Sequence, residues 1–299
     1  MVRFTRFRKE IILLFCLLAA IGSLWALSGL RGDHARREDE APDSILLSLL
    51  SQAATSGTVT GQGLLLHQIE IPNPRNFPSG SVIKIQRLFI NLTKLSGDGL
   101  IVEVENGRLF LPKAEPIVFG GTLHGGQLDF NVYTKSLDVN QLAALLPVEE
   151  AGKAVSGNLA GVDLYLRGTL QQPQVTGQIL VDKLVYKDFA LRDCPIFVDM
   201  TFQRNGKGWN GNGGLATTEG SLSSKRTVVQ LGESRVSFKK DLAQPSFAVT
   251  GQAKIEKVVI NIIVRGTLDR PDINLSSDPP LPQDQLLVML ATGRQWKGT

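Results

Sequence analysis

The chain has 299 residues, a length that suits one long domain or two ordinary ones. Its net charge is +4, and the first ten residues, with four basic side chains and one acid, contribute +3 of it. The body is therefore almost neutral and lacks the electrostatic footprint of a nucleic-acid-binding protein. Only Cys194 lies in the body, since Cys16 falls within an apolar leader, which excludes an intramolecular disulfide and a cysteine-based metal site there.

The first predicted element is a membrane segment. Residues 11–30 contain no charge, and about 20 apolar residues are enough to span a bilayer. Basic residues precede this run and charges of mixed sign follow it, so the positive-inside rule keeps residues 1–10 in the cytoplasm and sends the body across. We therefore predict a cytoplasmic basic leader (1–10) and a transmembrane signal anchor (11–30). A cleaved signal peptide is the alternative, and it also leaves the body outside the cytoplasm.

A linker with a short amphipathic helix is predicted for residues 31–56, because Pro42 supplies a start signal and Ile45, Leu46, Leu49 and Leu50 fall on one stripe. From Gly57 onward apolar residues alternate with others, which predicts a long succession of antiparallel strands, each with one apolar face. The residues predicted to line that face are Ile83, Ile85, Ile90, Leu92, Phe130, Val132, Leu164, Leu166, Phe247, Val249, Ile260, Ile262 and Val264.

Two short helices interrupt the predicted strands. One is expected near residues 138–146, capped by Asp138, and one near 282–292, ending at Gly293. They suit lids or end plugs over apolar edges, although ordinary helices packed on a sheet fit the sequence equally well.

Two phrases recur along the chain. Arg-Gly-Thr-Leu-x-x-Pro occurs at residues 167–173 and again at 265–271, and Val-Thr-Gly-Gln occurs at 59–62, 175–178 and 249–252. Recurrence of this kind indicates stacked similar units.

No catalytic constellation is visible in the sequence. Residues 206–211 match G-x-G-x-x-G, but a polar, glycine-rich stretch follows where a dinucleotide site needs a helix, so we predict a hairpin loop. His34, His67 and His124 are isolated from one another and from other ligands. We therefore expect no enzyme activity, no cofactor and no metal.

The end of the chain carries a family resemblance. Residues 265–287 read as a strand ending in Gly-Thr-Leu-x-x-Pro, then Pro-Pro-Leu, then an acidic, leucine-rich helix. This resembles the C-terminal region of TamB in the AsmA-like superfamily of bacterial envelope proteins. Residues 118–146, a Gly-Gly strand followed by an Asp-capped leucine helix, are similar to AsmA-like proteins and to their YdbH relatives.

The resemblance implies a mainly β fold: an elongated, curled antiparallel sheet with a hydrophobic groove, a few short amphipathic helices and an N-terminal transmembrane helix. Residues 57–299 would then be a periplasmic AsmA/TamB-like β domain on a single-pass inner-membrane protein. The family is associated with moving phospholipids to the outer membrane, and TamB with an outer-membrane barrel partner. The family is typically several times longer, so this chain is not expected to cross the periplasm alone.

The predicted function is phospholipid transport to, or assembly of, the outer membrane. Acyl chains and the inner membrane are the expected partners, with an outer-membrane barrel or another envelope protein as a further one. The alternative is a non-enzymatic scaffold or chaperone that inserts outer-membrane proteins by β-augmentation, in which a partner strand joins a sheet edge.

Overall fold

The computed structural model describes residues 57–60, 63–73, 77–91, 101–143, 155–205, 208–267 and 269–295. The predicted transmembrane segment (11–30) and the predicted linker helix lie outside these residues. Among the helices of the described ranges, none has the length and apolar content needed to cross a membrane.

The described part of the chain is almost entirely β-structure. Its strands are β1 (Gly57–Thr60), β2 (Gly63–Pro72), β3 (Val82–Ile90), β4 (Ile101–Phe110), β5 (Ile117–His124), β6 (Gln127–Thr134), β7 (Leu137–Asp138), β8 (Val155–Thr169), β9 (Pro173–Tyr186), β10 (Phe189–Asn205), β11 (Gly208–Thr217), β12 (Gly220–Ser223), β13 (Val228–Leu231), β14 (Ser234–Ile255), β15 (Val258–Thr267) and β16 (Pro271–Asp278). Its helices are α1 (Val139–Ala143) and α2 (Gln283–Thr292). The Asp138 carboxylate accepts a hydrogen bond from the Asn140 amide (2.9 Å) at the start of α1.

All these strands belong to one antiparallel sheet, and they follow one another as a meander. β11 and β12 both pair with β10. On their other side, β11 pairs with β14 and β12 pairs with β13. β14 doubles back on itself near Lys240, whose φ is 68°. The Thr250 amide donates to the Ser234 hydroxyl at 3.2 Å, across sixteen residues of the same strand. The predicted mainly antiparallel β fold with few helices is confirmed.

The repeated Arg-Gly-Thr-Leu-x-x-Pro phrase forms the same hairpin twice. In the β8–β9 turn the amide of Thr169 donates to the carbonyl of Gln172 (3.2 Å), and the amide of Gln172 returns a bond of 3.1 Å. Thr267 and Arg270 exchange the same two bonds, at 3.4 and 3.2 Å, in the β15–β16 turn. Thus the sequence recurrence corresponds to a recurring turn between neighbouring strands.

Residues 206–211 lie where β10 and β11 form the predicted hairpin, but the loop is shorter than predicted. Residues 208–211 belong to β11 and pair with β10, with Gly211 opposite Phe202. Residues 208–210 pair with β10 alone, and from Gly211 onward β11 also pairs with β14, so strand pairing overrides the low strand propensity of glycine and asparagine. No helix follows the motif, which excludes a dinucleotide fingerprint.

One face of the sheet carries the apolar core, and we call it the inner face. A central cluster extends from Leu109 in β4 to Phe247 in β14. An N-terminal cluster joins β2 to β4, and a C-terminal cluster joins β14, β15 and β16 to α2. Ile83 and Phe119 contact both the N-terminal and the central cluster, so the apolar surface continues between those two.

The long strands bend at neighbouring positions. The β8–β9 register shifts between Asn158 and Gly161, and in β10 Asp193 has a φ of 48°. Beside them, the chain breaks between β11 and β12 at 218–219 and between β13 and β14 at 232–233. We call this row of irregularities the bend line. Bulges of this kind bend a strand and increase its twist, so they redirect the inner face about a third of the way along β8 and β10.

Glycine allows close strand contact on the inner face at Gly177. This residue lies opposite Leu164 with a φ of 139°, and a Cβ atom there would collide with the carbonyl oxygen of Asp163. Replacing it adds both backbone strain and a steric clash with the neighbouring strand.

We expect Gly177→Ala to lower the free energy of unfolding by about 3 kcal/mol, as denaturant unfolding would measure. Gly161→Ala is the matched control, because a Cβ there meets only the Leu180 side chain at an ordinary 3.4 Å. It should change stability by about 0.5 kcal/mol at most. Equal losses in the two variants would contradict this account of the inner face.

Candidate functional site: the inner face of the sheet

The strand register brings the predicted groove residues onto one face. Phe130 lies directly opposite Leu166, and Val132 opposite Leu164, between β6 and β8. Residues directly opposite one another in an antiparallel pair point to the same side of the sheet. The pairing therefore places all four side chains on the inner face.

The same face continues toward both ends of the described sheet. Ile83 and Ile85 in β3 pair with Leu109 and Gly107, and Phe119 in β5 then pairs with Val132. At the other end, Val249 pairs with Val264 between β14 and β15. Leu92 lies outside the described residues, so its position is not assigned.

The predicted residues divide into two groups by burial. Those below one tenth exposed are Ile85, Leu164, Phe247 and Ile260. Those that are partly buried are Ile83, Ile90, Phe130, Val132, Leu166, Val249, Ile262 and Val264. The first group consists of packed core side chains, and the second contains the inner-face positions that a ligand can reach with less rearrangement.

Polar side chains on the inner face are already hydrogen-bonded. The hydroxyls of Thr134, Thr217 and Ser234 donate to nearby backbone carbonyls at 3.0, 2.7 and 3.0 Å. All three lie at the bend line, where the strand irregularities turn carbonyl groups toward them. These hydroxyls stabilise the bends, and the face they share is chemically apolar.

Cys194 is a packed residue of the central cluster, with 1% of its surface exposed. Burial raises the pKa of its thiol, while a hydrogen bond of 3.4 Å to the Thr217 hydroxyl acts in the opposite direction. A buried, protonated thiol is a poor nucleophile.

No group of three metal-ligating side chains occurs within the described ranges. His67 and His124 are both exposed, and they lie on different strands. A cleft of about 520 Å³ lies at the strand ends, away from the predicted groove residues. Its lining residues are Lys113, Ala114, Glu115, Ser136, Asp138 and Asn158.

The helix α2 covers the C-terminal end of the inner face. Leu286 and Met289 are fully buried against a cluster that includes Val258, Ile260 and Leu275. The Thr227 hydroxyl, from the turn between β12 and β13, donates to the Leu290 carbonyl at 2.7 Å. Sequence patterning predicted the helix, but it gave no signal for this tether because the two residues are 63 positions apart.

We expect Leu286→Ala to loosen α2 without unfolding the central cluster. Removing a buried leucine side chain costs about 2–5 kcal/mol, so amide exchange in α2 should speed up by at least about tenfold. Hydrogen exchange measured by mass spectrometry should show no comparable change in β9 and β10. Val288→Ala is the control, because Val288 is exposed on the same helix. Uniform acceleration across the sheet would contradict a separate C-terminal cluster.

Comparison with protein families gives a match in the C-terminal part of the chain. Residues 199–299, from the middle of β10 through α2, match the family model described as the TamB C-terminal domain. No curated protein and no solved structure matches the chain significantly. The match confirms the resemblance predicted from residues 265–287. The match covers the C-terminal third of the chain, and for that region it supports a TamB-like assignment.

Proposed function

We propose that this chain is an inner-membrane-anchored periplasmic protein that holds phospholipid acyl chains against its inner face. It would act in phospholipid transport to, or assembly of, the outer membrane. The TamB-type domain supports a role in outer-membrane biogenesis or lipid transport. The single structural observation that carries the proposal is the shared apolar face formed by twelve predicted groove residues.

Acyl chains need an apolar surface and no specific polar chemistry. Transfer of apolar surface out of water is favourable by roughly 25 cal/mol per Å². The partly buried residues supply such a surface in two places, around Phe130, Val132 and Leu166 and around Val249 and Val264. Because the inner-face hydroxyls at the bend line are bonded to the backbone, they do not oppose the entry of a hydrocarbon chain.

The proposal includes a curled sheet with a groove. Buried side chains from many strands form the central cluster, although all the described strands lie in one sheet. Bending along the bend line would turn the two halves of the inner face toward each other. The groove would then narrow at the packed centre and widen where the partly buried residues lie.

The proposed location follows from the sequence. Residues 11–30 would anchor the chain in the inner membrane, with residues 1–10 in the cytoplasm and the β domain in the periplasm. The proposal includes no catalytic step, since the polar groups described on the inner face are hydrogen-bonded hydroxyls and one buried thiol.

The scaffold alternative requires a sheet edge that can accept a partner strand. At β16, Pro271 has no amide hydrogen, and the Ile273 carbonyl already accepts a hydrogen bond from the Gln283 side chain at 2.8 Å. A partner strand would have to displace Gln283 and α2 from this edge. This observation favours lipid handling over β-augmentation at β16, and β1 is the other end of the described strand order.

The proposed function predicts that an aspartate on the inner face reduces lipid binding, whereas an aspartate at the next position, on the outer face, does not. Ile262→Asp places a carboxylate on the partly buried part of the inner face, where an unpaired charge beside acyl chains costs several kcal/mol. We expect this variant to fold and to lose several-fold of its co-purifying phospholipid. Ile263→Asp is the matched control, because Ile263 is 38% exposed on the outer face, and it should keep the lipid.

The measurement is mass spectrometry of phospholipid bound to the full chain, with circular dichroism to check folding. Leu164→Asp serves as a second comparison, since Leu164 is only 7% exposed in the central cluster and its charged variant should unfold. A folded Ile262→Asp protein with as much lipid as Ile263→Asp would overturn the proposed function.

A further inference from the structure

Four separate chain segments meet at one end of the C-terminal strands. They are the β9–β10 turn, the β12–β13 turn, the β14–β15 turn and the residues after α2. Lys225 forms an ion pair with Asp188 at 2.8 Å, which joins the first two turns. The Gln295 amide donates to the Glu256 carboxylate at 3.4 Å, which joins the third turn to the end of α2.

The second turn also contacts the end of α2 directly. The Thr227 hydroxyl donates to the Leu290 carbonyl, and Gly293 lies so close to Arg226 that a Cβ atom would be 3.0 Å from the Arg226 Cβ. The four segments therefore form one continuous surface beside the C-terminal cluster of the inner face.

This surface is basic. Its exposed cations, which we call the C-terminal basic rim, are Lys187, Lys225, Arg226, Lys257 and Arg294. The acids in the same segments are Asp188 and Glu256, so five positive charges face two negative ones and the net charge is +3. Both acids already have partners on this surface, Lys225 and the Gln295 amide, respectively.

Clustered lysine and arginine side chains attract anionic bilayers, and each such residue near the surface raises affinity by roughly fivefold at moderate salt. A bilayer responds to net charge and does not require a fixed arrangement of donors, which suits cations contributed by three turns and the segment after α2. Val228, which follows the β12–β13 turn directly, and Val288 on α2 both have exposed apolar side chains. Short apolar side chains beside cations are compatible with the headgroup region of a membrane.

We propose that the C-terminal basic rim docks the protein on an anionic phospholipid bilayer. The rim lies next to the end of the inner face that α2 covers, so docking would bring that end to a membrane. In this respect the inference rests on the proposed function, because it gives the lipid-holding face a bilayer with which to exchange lipid.

The test uses the full chain held in phosphatidylcholine nanodiscs. Its apolar leader is then inserted in the nanodisc and cannot capture the test vesicles. Capture of separate vesicles is then measured by co-flotation, with vesicles of phosphatidylcholine alone or mixed with phosphatidylglycerol. The rim variant is Lys225→Gln/Arg226→Gln/Lys257→Gln. The matched control is Arg235→Gln/Lys239→Gln/Lys240→Gln, which removes the same charge from exposed positions on β14.

We expect the wild type and the control to capture phosphatidylglycerol vesicles, and the rim variant to bind them about 100-fold more weakly. Capture by the wild type should weaken as salt is raised. Equal capture by the rim variant and the control, or equal capture of neutral and anionic vesicles by the wild type, would overturn the inference. Capture that a soluble polyanion abolishes, but that is the same with and without phosphatidylglycerol in the vesicles, would overturn it as well.

Failure of the proposed function has a different signature. If the wild type carried no bound phospholipid but the rim still captured anionic vesicles, lipid handling would be rejected and docking retained. If the wild type carried lipid but the rim variant captured vesicles normally, docking would be rejected and lipid handling retained.

Discussion

Every long strand of the described sheet has one apolar and one polar face, and the described residues contain no second sheet to cover the apolar one. Two short helices cannot cover a face that extends from β2 to β16. The inner face therefore has to be enclosed by the sheet itself, by α2 at one end, or by a ligand. The bend line, the packed central cluster and the partly buried groups around Phe130 and Val264 are consequences of this one requirement.

The bend line connects local backbone chemistry to this enclosure. A straight strand as long as β8, with 15 residues, would extend about 50 Å. Its apolar side chains would then lie along one flat face with nothing packed against them. Irregularities at neighbouring positions in β8, β10 and the strands beside them divide the sheet into two panels. The hydroxyls of Thr134, Thr217 and Ser234 bond the carbonyls that these irregularities release. At these three positions the bends therefore leave both the hydroxyl and the carbonyl hydrogen-bonded on an otherwise apolar surface.

Much of the fold could be predicted from local sequence, because alternation and turn chemistry act over a few residues. The period-two pattern predicted the faces of Leu164 and Leu166, and the repeated Gly-Thr-Leu-x-x-Pro predicted similar units, which in the structure are two equivalent hairpins. The strand β11 was missed because its glycine and asparagine residues have low strand propensity, and pairing on both sides overrides that preference.

The candidate site was predictable in composition but not in depth. Alternation cannot distinguish Leu164, which is packed in the core, from Leu166, which is only partly buried two residues later. That difference depends on tertiary packing, which the local alternation of residues does not encode. The basic rim was also invisible in the sequence, since its cations come from positions between 187 and 294 and meet only through the meander. The nearly neutral charge of the body conceals this local concentration.

Photocrosslinking along β8 in cells tests the central claim most directly. A photoreactive residue at position 166 would project from the inner face, and one at position 165 from the outer face, where Tyr165 is 39% exposed. If the inner face holds acyl chains, phospholipid adducts should form at 166 and in the facing position 130, and not at 165. Equal adducts at 165 and 166, or protein adducts confined to one edge strand, would contradict the account.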